Sequence, residues 1–130
     1  MHRARRPLLI ALGGTYQAST RSFTGQPARD GLERVSLDVA VLSATAVDDS
    51  GLLCANDLDA EMKRAMGAAA RRRILLVDST KIGGRAPIRF GALSSIDLVI
   101  TGAAATEEQR ALLEAAGDVL YVSDTLEAAQ

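Results

Sequence analysis

Three loops hold the residues whose types and spacing could do chemistry. Asp78-Ser79-Thr80-Lys81-Ile82-Gly83-Gly84-Arg85 places two hydroxyls, a lysine, a glycine pair and an arginine in one short stretch. That combination suits a phosphate or another small anion, with Lys81 as a point charge and Arg85 as a fork-shaped donor. It lacks the Gly-x-x-x-x-Gly-Lys-Ser/Thr order of a nucleotide P-loop, and Asp78 could instead pair with Lys81 to close the loop. Gly13-Gly14-Thr15 begins a second loop, running to Ser22, in which paired glycines would let backbone N–H groups approach a ligand. The same residues are equally suited to a tight turn. The third loop contains Asp48-Asp49, which suits an acid/base pair or a magnesium site but fits turn formation better. Glu61 and Lys63 follow on the next helix, where a solvated face is their ordinary role. Cys54 has no neighbouring histidine to activate it, so a buried structural thiol is expected.

The elements that must position these loops alternate in type. Apolar runs at 7–12, 37–42, 74–77, 96–100 and 118–122 are short and apolar on both alternating sides, as strands of a covered parallel sheet are. Between them, three- and four-residue spacing predicts helices over 56–72 and 106–116, with a shorter one near 27–35. Thr106 and Gln109 have capping-box spacing, and Gly117 is placed to end that helix. Arg71-Arg72-Arg73 is expected at the carbonyl-rich end of the preceding helix. Strand–helix alternation predicts an α/β domain over 1–130, with a mostly parallel sheet and helices on both faces. Ligands in such sheets bind beyond the carboxyl ends of the strands.

Composition narrows the function classes. The chain has 130 residues, 48% of them hydrophobic and 24% charged, enough for one domain with a real core. A net charge of -1 gives no bulk attraction to nucleic acid or anionic membrane. Aromatics at 3% argue against a base-stacking platform. One cysteine and one histidine, His2, argue against a disulfide framework or a zinc site, and no cofactor is expected. No apolar stretch approaches the roughly 18 residues of a bilayer span, and residues 1–6 read as a basic tail rather than a signal peptide. The expected location is cytoplasmic.

The order of motifs is more specific than any one of them. Leu12-Gly13-Gly14-Thr15, Ser22-Phe23-Thr24-Gly25, residues 37–44, Gly51-Leu52, Asp59 to Met66, Leu76 to Gly83, and Leu93 to Thr101 follow one another in a familiar series. Together they resemble the C-terminal effector-sensing domain of DeoR-family bacterial transcription regulators. The resemblance implies a fold similar to the ribose-5-phosphate isomerase and CoA-transferase group. It also implies binding of a phosphorylated sugar or related anionic metabolite that alters operator occupancy. Gly13, Gly14, Thr15, Glu61, Asp78 and Lys81 fall on the family's ligand-binding motifs, with Lys63 in the same helix motif as Glu61. The family's DNA-binding helix-turn-helix and the first part of its sensor are not matched here, so DNA contact would run through an element outside this chain. Ser43-Ala44-Thr45-Ala46 stands where the family often has Gly-Ala-Asp-Gly, removing a carboxylate and a glycine.

Two other functions remain open on sequence grounds. One is a small sugar-phosphate isomerase or transferase, for which Asp48, Asp49 and Glu61 are the available acid/base residues. The other is a fragment without ligand binding of its own. An unpaired sheet edge or apolar patch would favour a homo-oligomer in either case.

Overall fold

The computed structural model describes residues 5–123. Four strands form a parallel sheet in the order β3 (Leu37–Leu42), β6 (Ala70–Leu76), β8 (Leu98–Gly102) and β9 (Asp118–Val122). Preceding it, β1 (Thr15–Gln17) and β2 (Ser22–Thr24) make an antiparallel hairpin. Strands β4 (Ala46–Asp48), β5 (Gly51–Cys54) and β7 (Ile88–Gly91) make a small antiparallel sheet. The helices are α1 (Gln26–Glu33), α2 (Asp57–Ala69) and α3 (Glu107–Glu114).

Local sequence explains the helix starts. Asn56 caps α2 by accepting the Asp59 backbone N–H at 2.9 Å. Thr106 and Gln109 form the reciprocal capping box at α3 that their spacing predicts. Helix α3 ends at Glu114 with Ala115 as its cap, ahead of Gly117. Helix α2 ends earlier than its periodicity suggests. Ala70 turns extended, and Arg71-Arg72-Arg73 belong to β6 rather than to a helix end, because Ala70 and Arg72 pair with Leu37 and Val39.

The core lies on one side of the parallel sheet. Ala40, Leu42, Leu75, Val77 and Val99 point there and pack with Ala60 of α2 and Leu113 of α3. Helix α1 lies on α2 through Ala28, Leu32 and Met62. The parallel α/β sheet is as expected, and among the described residues its helices lie on one face. The strand order follows the chain order without reversal. Right-handed crossovers that always advance in one direction put every connecting helix on the same side.

The run at 7–12 also departs from expectation, because it is not a strand. Leu8 and Leu9 are 86% and 90% exposed. Apolar composition favours extended backbone, but a strand needs a ladder partner, and none of the sheets takes this segment in. Only Leu12 is anchored, against Gly31 of α1. No helix among the described residues is long and apolar enough to cross a membrane.

Candidate functional site

Leu42 pairs with Leu75 in the parallel ladder, so the segments leaving β3 and β6 emerge at one rim of the sheet. Ser43 follows β3 there, and Asp78 opens the loop after β6. Helix α2 runs back toward β6, so its amino end lies at this same carboxyl rim. Lys63, on the second turn of α2, reaches the rim. Its Nζ donates to the Ser43 carbonyl at 2.5 Å and lies 3.2 Å from the Ser43 hydroxyl. The ammonium also stands 5.2 Å from the centre of the Phe90 ring. Burial pushes the Lys63 pKa below its ordinary value of 10.5, opposed by Cys54 and Asp59, while the nearby charge of Lys81 lowers it further. The Cys54 thiol is buried, and its pKa is raised by that burial.

The Lys81 loop is held by backbone contacts from three directions. Asp78 caps a 3-10 turn over Ser79–Lys81, accepting the Thr80 N–H at 2.8 Å and its hydroxyl at 2.7 Å. These bonds hold the Asp78 carboxyl below the usual carboxylate range, with Lys81 contributing less. Gly83 N–H donates to the Val47 carbonyl at 2.6 Å, beside a parallel bridge between Val47 and Ile82. Gln109 of α3 donates its carboxamide protons to the carbonyls of Ser79, at 2.9 Å, and Ile82, at 3.1 Å. Its oxygen meanwhile accepts the Thr106 N–H at 2.9 Å. The scaffold is thus fixed while the Lys81 side chain is left exposed. Neither Lys81 nor Lys63 forms an ion pair among the described residues.

Gly13 and Gly14 lie at the entrance to the β1–β2 hairpin, with φ of +83° and +90°. A Cβ on Gly14 would stand 2.7 Å from the Thr24 carbonyl oxygen and 3.0 Å from the Ala28 Cβ. Close packing on the second strand and on α1 therefore requires glycine there. Thr15 pairs with Thr24, whose hydroxyl donates to the Thr15 carbonyl at 3.5 Å. A hollow of about 100 Å³ between hairpin and α2 is lined by Gln17, Ser19, Thr20, Thr24 and Asp59. A larger one of about 620 Å³ is lined by Asp78, Ser79 and Thr80 together with Thr101 and Gly102 of β8. Neither is lined by Gly13, Gly14 or Lys81.

Glu61 points away from the lysines. It forms an ion pair with Arg29 of α1. Asp48 accepts both the N–H and the hydroxyl of Ser50 in the β4–β5 turn. The structure therefore brings together Lys81, Asp78, Lys63 and Ser43, and it leaves Glu61 outside that group. A signal for Lys63 exists in the sequence. It stands three after Ala60 and four before Gly67, both buried, whereas Glu61 shares its side with Ala65 and Ala68 beside α1. Ser43 and Gln109 carry no such signal, since their partners come from distant segments.

Comparison with known proteins supplies the context for this rim. A profile of the DeoR C terminal sensor domain matches residues 1–103. An HTH-type transcriptional regulator, GlpR, from Haloferax volcanii is 35% identical over 81% of this chain and 42% of its own length. The L-fucose operon activator of Haemophilus influenzae is 32% identical over 71% of this chain and 37% of its own. The glycerol-3-phosphate regulon repressor of Escherichia coli is 29% identical over 73% and 38%, respectively. The chain thus spans roughly two-fifths of the length of these relatives. The paired-lysine rim sits on a parallel α/β sheet whose sequence matches the sensor portion of such regulators, and the chain belongs to the DeoR C-terminal sensor domain family.

Proposed function

We propose that the chain is the effector-sensing part of a transcription regulator and binds a phosphorylated sugar or a related anionic metabolite at the Lys63–Lys81 rim. The observation that carries this reading is the pair of lysines. Two ammonium groups within electrostatic range of each other, without a carboxylate paired to either, favour a small dianion. Ser43 and the capped Asp78 turn set the shape around them. Gly13, Gly14 and Thr15 serve by seating the hairpin over the amino end of α2, and Glu61 by tying α1 to α2. The relatives' names add support, because one is a repressor of a glycerol-3-phosphate regulon and another an activator of an L-fucose operon.

Sensing here needs no turnover. A ligand that prefers one of two conformations shifts their populations, and operator control follows through a DNA-binding element outside this chain. Self-association of the chain belongs to the same reading, since among the described residues its sheet has an unpaired edge at β3.

Calorimetry of the 130-residue chain tests the proposal. Glycerol 3-phosphate or ribose 5-phosphate should bind while the unphosphorylated compounds do not. Lys63→Ala and Lys81→Ala should each weaken binding about tenfold, the worth of one charge-assisted contact. Absence of binding, or binding indifferent to both substitutions, overturns the reading. Isomerisation of ribose 5-phosphate that vanishes in Glu61→Ala would establish an enzyme instead.

A further inference from the structure

A hollow of about 260 Å³ lies between α2 and residues 90–96. Leu42, Leu52 and Ile96, all buried in the core, give it an apolar floor. Lys63, Arg64 and Arg73 line it as well, and among the described residues no carboxylate does. An apolar hollow with a few convergent polar groups is the usual form of a small-ligand site, and this volume suits a small metabolite.

The two arginines are anchored by backbone carbonyls and keep donors in reserve. Arg64 Nε donates to the Phe90 carbonyl at 3.2 Å, and its Nη2 to the Arg89 carbonyl at 2.6 Å. Arg73 Nε donates to the Gly67 carbonyl at 2.9 Å. Among the described residues, Nη1 of Arg64 and Nη2 of Arg73 have no hydrogen-bond partner. The carboxylate paired to this group is Asp97, which accepts the Arg73 backbone N–H at 2.7 Å and stands 3.8 Å from Arg73 Nη1. It does not line the hollow, and a half-exposed carboxylate at that distance offsets little of three cations.

We infer that this hollow is a second anion subsite, in which Arg64 and Arg73 take a carboxylate at the far end of the ligand whose phosphate sits at the Lys63–Lys81 rim. The effector class is then a phosphorylated sugar acid. The inference rests on the proposed function of the lysine rim for the phosphate end alone. Lys63 joins the two ends, since it lines the hollow and also reaches Ser43 at the rim. Gly67, which anchors Arg73, is one turn farther along α2, about 6 Å of helix rise. Side chains lean toward the amino end of a helix, so the Lys63 ammonium stands beyond that span. A ligand that meets both ends therefore carries its charges at opposite ends of its carbon chain. The donors left over select the carboxylate. Each guanidinium has one free terminal nitrogen, and the two match the two oxygens of a planar carboxylate. The lysines act as point charges and suit a tetrahedral phosphate.

Calorimetry of the 130-residue chain with a matched pair of ligands tests it. Phosphogluconate, phosphorylated on the terminal hydroxyl, differs from sorbitol 6-phosphate by a carboxylate in place of a CH2OH group. It should bind about tenfold more tightly. Ala68 lines the hollow at an exposed helix position, four residues after Arg64. Ala68→Glu sets a carboxylate where it pairs with Arg64, and should abolish that advantage, whereas the same-sized Ala68→Gln should keep it. Equal affinity for the two ligands, or an advantage that survives Ala68→Glu, overturns the inference. Tighter binding of a sugar bisphosphate than of phosphogluconate overturns the assignment to a carboxylate.

Gluconate, which has no phosphate, probes the arginine end by itself. It should shift the Nε–H resonances of Arg64 and Arg73 saturably, in Lys81→Ala as in the wild type, while sorbitol should not. Shifts of this kind without binding of either phosphate ester uphold the arginine subsite and overturn the lysine rim. No saturable shift overturns the subsite whatever the rim does.

Discussion

The loop that begins at Gly13-Gly14 and the loop that carries Lys81 are built from the same kinds of residue, and the structure uses them oppositely. Each has a glycine pair, hydroxyls and a cation. In the first, Gly14 is consumed by packing, pressed against the Thr24 carbonyl and Ala28, while Gly13 has open space. In the second, Gly83 would meet nothing within 4 Å on gaining a Cβ, Gly84 is packed less tightly, 3.3 Å from the Ala46 Cβ and the Lys81 carbonyl, and the loop is also held by bonds to Val47 and Gln109. A loop fixed by its backbone can leave a side chain free for a ligand. A loop fixed by close approach has spent its special residues on the fold.

The largest effect that would sharpen this contrast is at Gly14. Gly14→Ala combines positive-φ strain with a 2.7 Å backbone contact, and it should cost about 2–4 kcal/mol of stability. Gly13→Ala, with open space around its Cβ, should cost only about 1 kcal/mol. Chemical denaturation measures both. Equal costs would break the assignment of a packing role to Gly14.

Next in size is Gln109. Gln109→Ala removes two donors from the carbonyls of Ser79 and Ile82 and should cost about 1–3 kcal/mol. It should also weaken glycerol 3-phosphate binding several-fold although Gln109 is not a ligand contact, because Lys81 loses its fixed platform. Calorimetry showing unchanged affinity in a folded Gln109→Ala would mean that the loop needs no such support.

The smallest effect is on pH dependence. Burial lowers the folded-state pKa of Lys63 from 10.5, so this group favours the fold most above 10.5 and loses that contribution as pH falls through its folded value. A bound anion has the opposite preference and holds the ammonium charged. Sulfate, which does not titrate above about pH 7, should therefore raise the melting temperature most near neutrality. Its effect should fade before the pH reaches 10.5. Lys63→Arg, whose charge persists, should move that fading to higher pH. An identical profile in the variant would remove Lys63 from the site.

Legibility in the sequence followed the range of the interaction. The β3 strand, the Thr106–Gln109 cap and the glycine-rich turns could be read from neighbours a few residues apart. The side of α2 that reaches the rim is marked by the small residues Ala60 and Gly67 around Lys63, whereas Glu61 enters the expected site only through the family's helix motif. The bond from Lys63 to Ser43 spans 20 residues, and those from Gln109 to the Lys81 loop span about 30, so no local pattern announces them.

The sequence by itself determined that strands and helices alternate, that the loop after β6 is suited to an anion, and which family the motif order resembles. Those properties depend on local backbone preferences and on side-chain chemistry carried by each residue. Only the tertiary structure decided which lysine turns inward, that the run at 7–12 joins none of the described sheets, and that among the described residues one sheet face carries no helix. Each of these depends on which segments become neighbours, and strand order and crossover handedness set that for the chain as a whole.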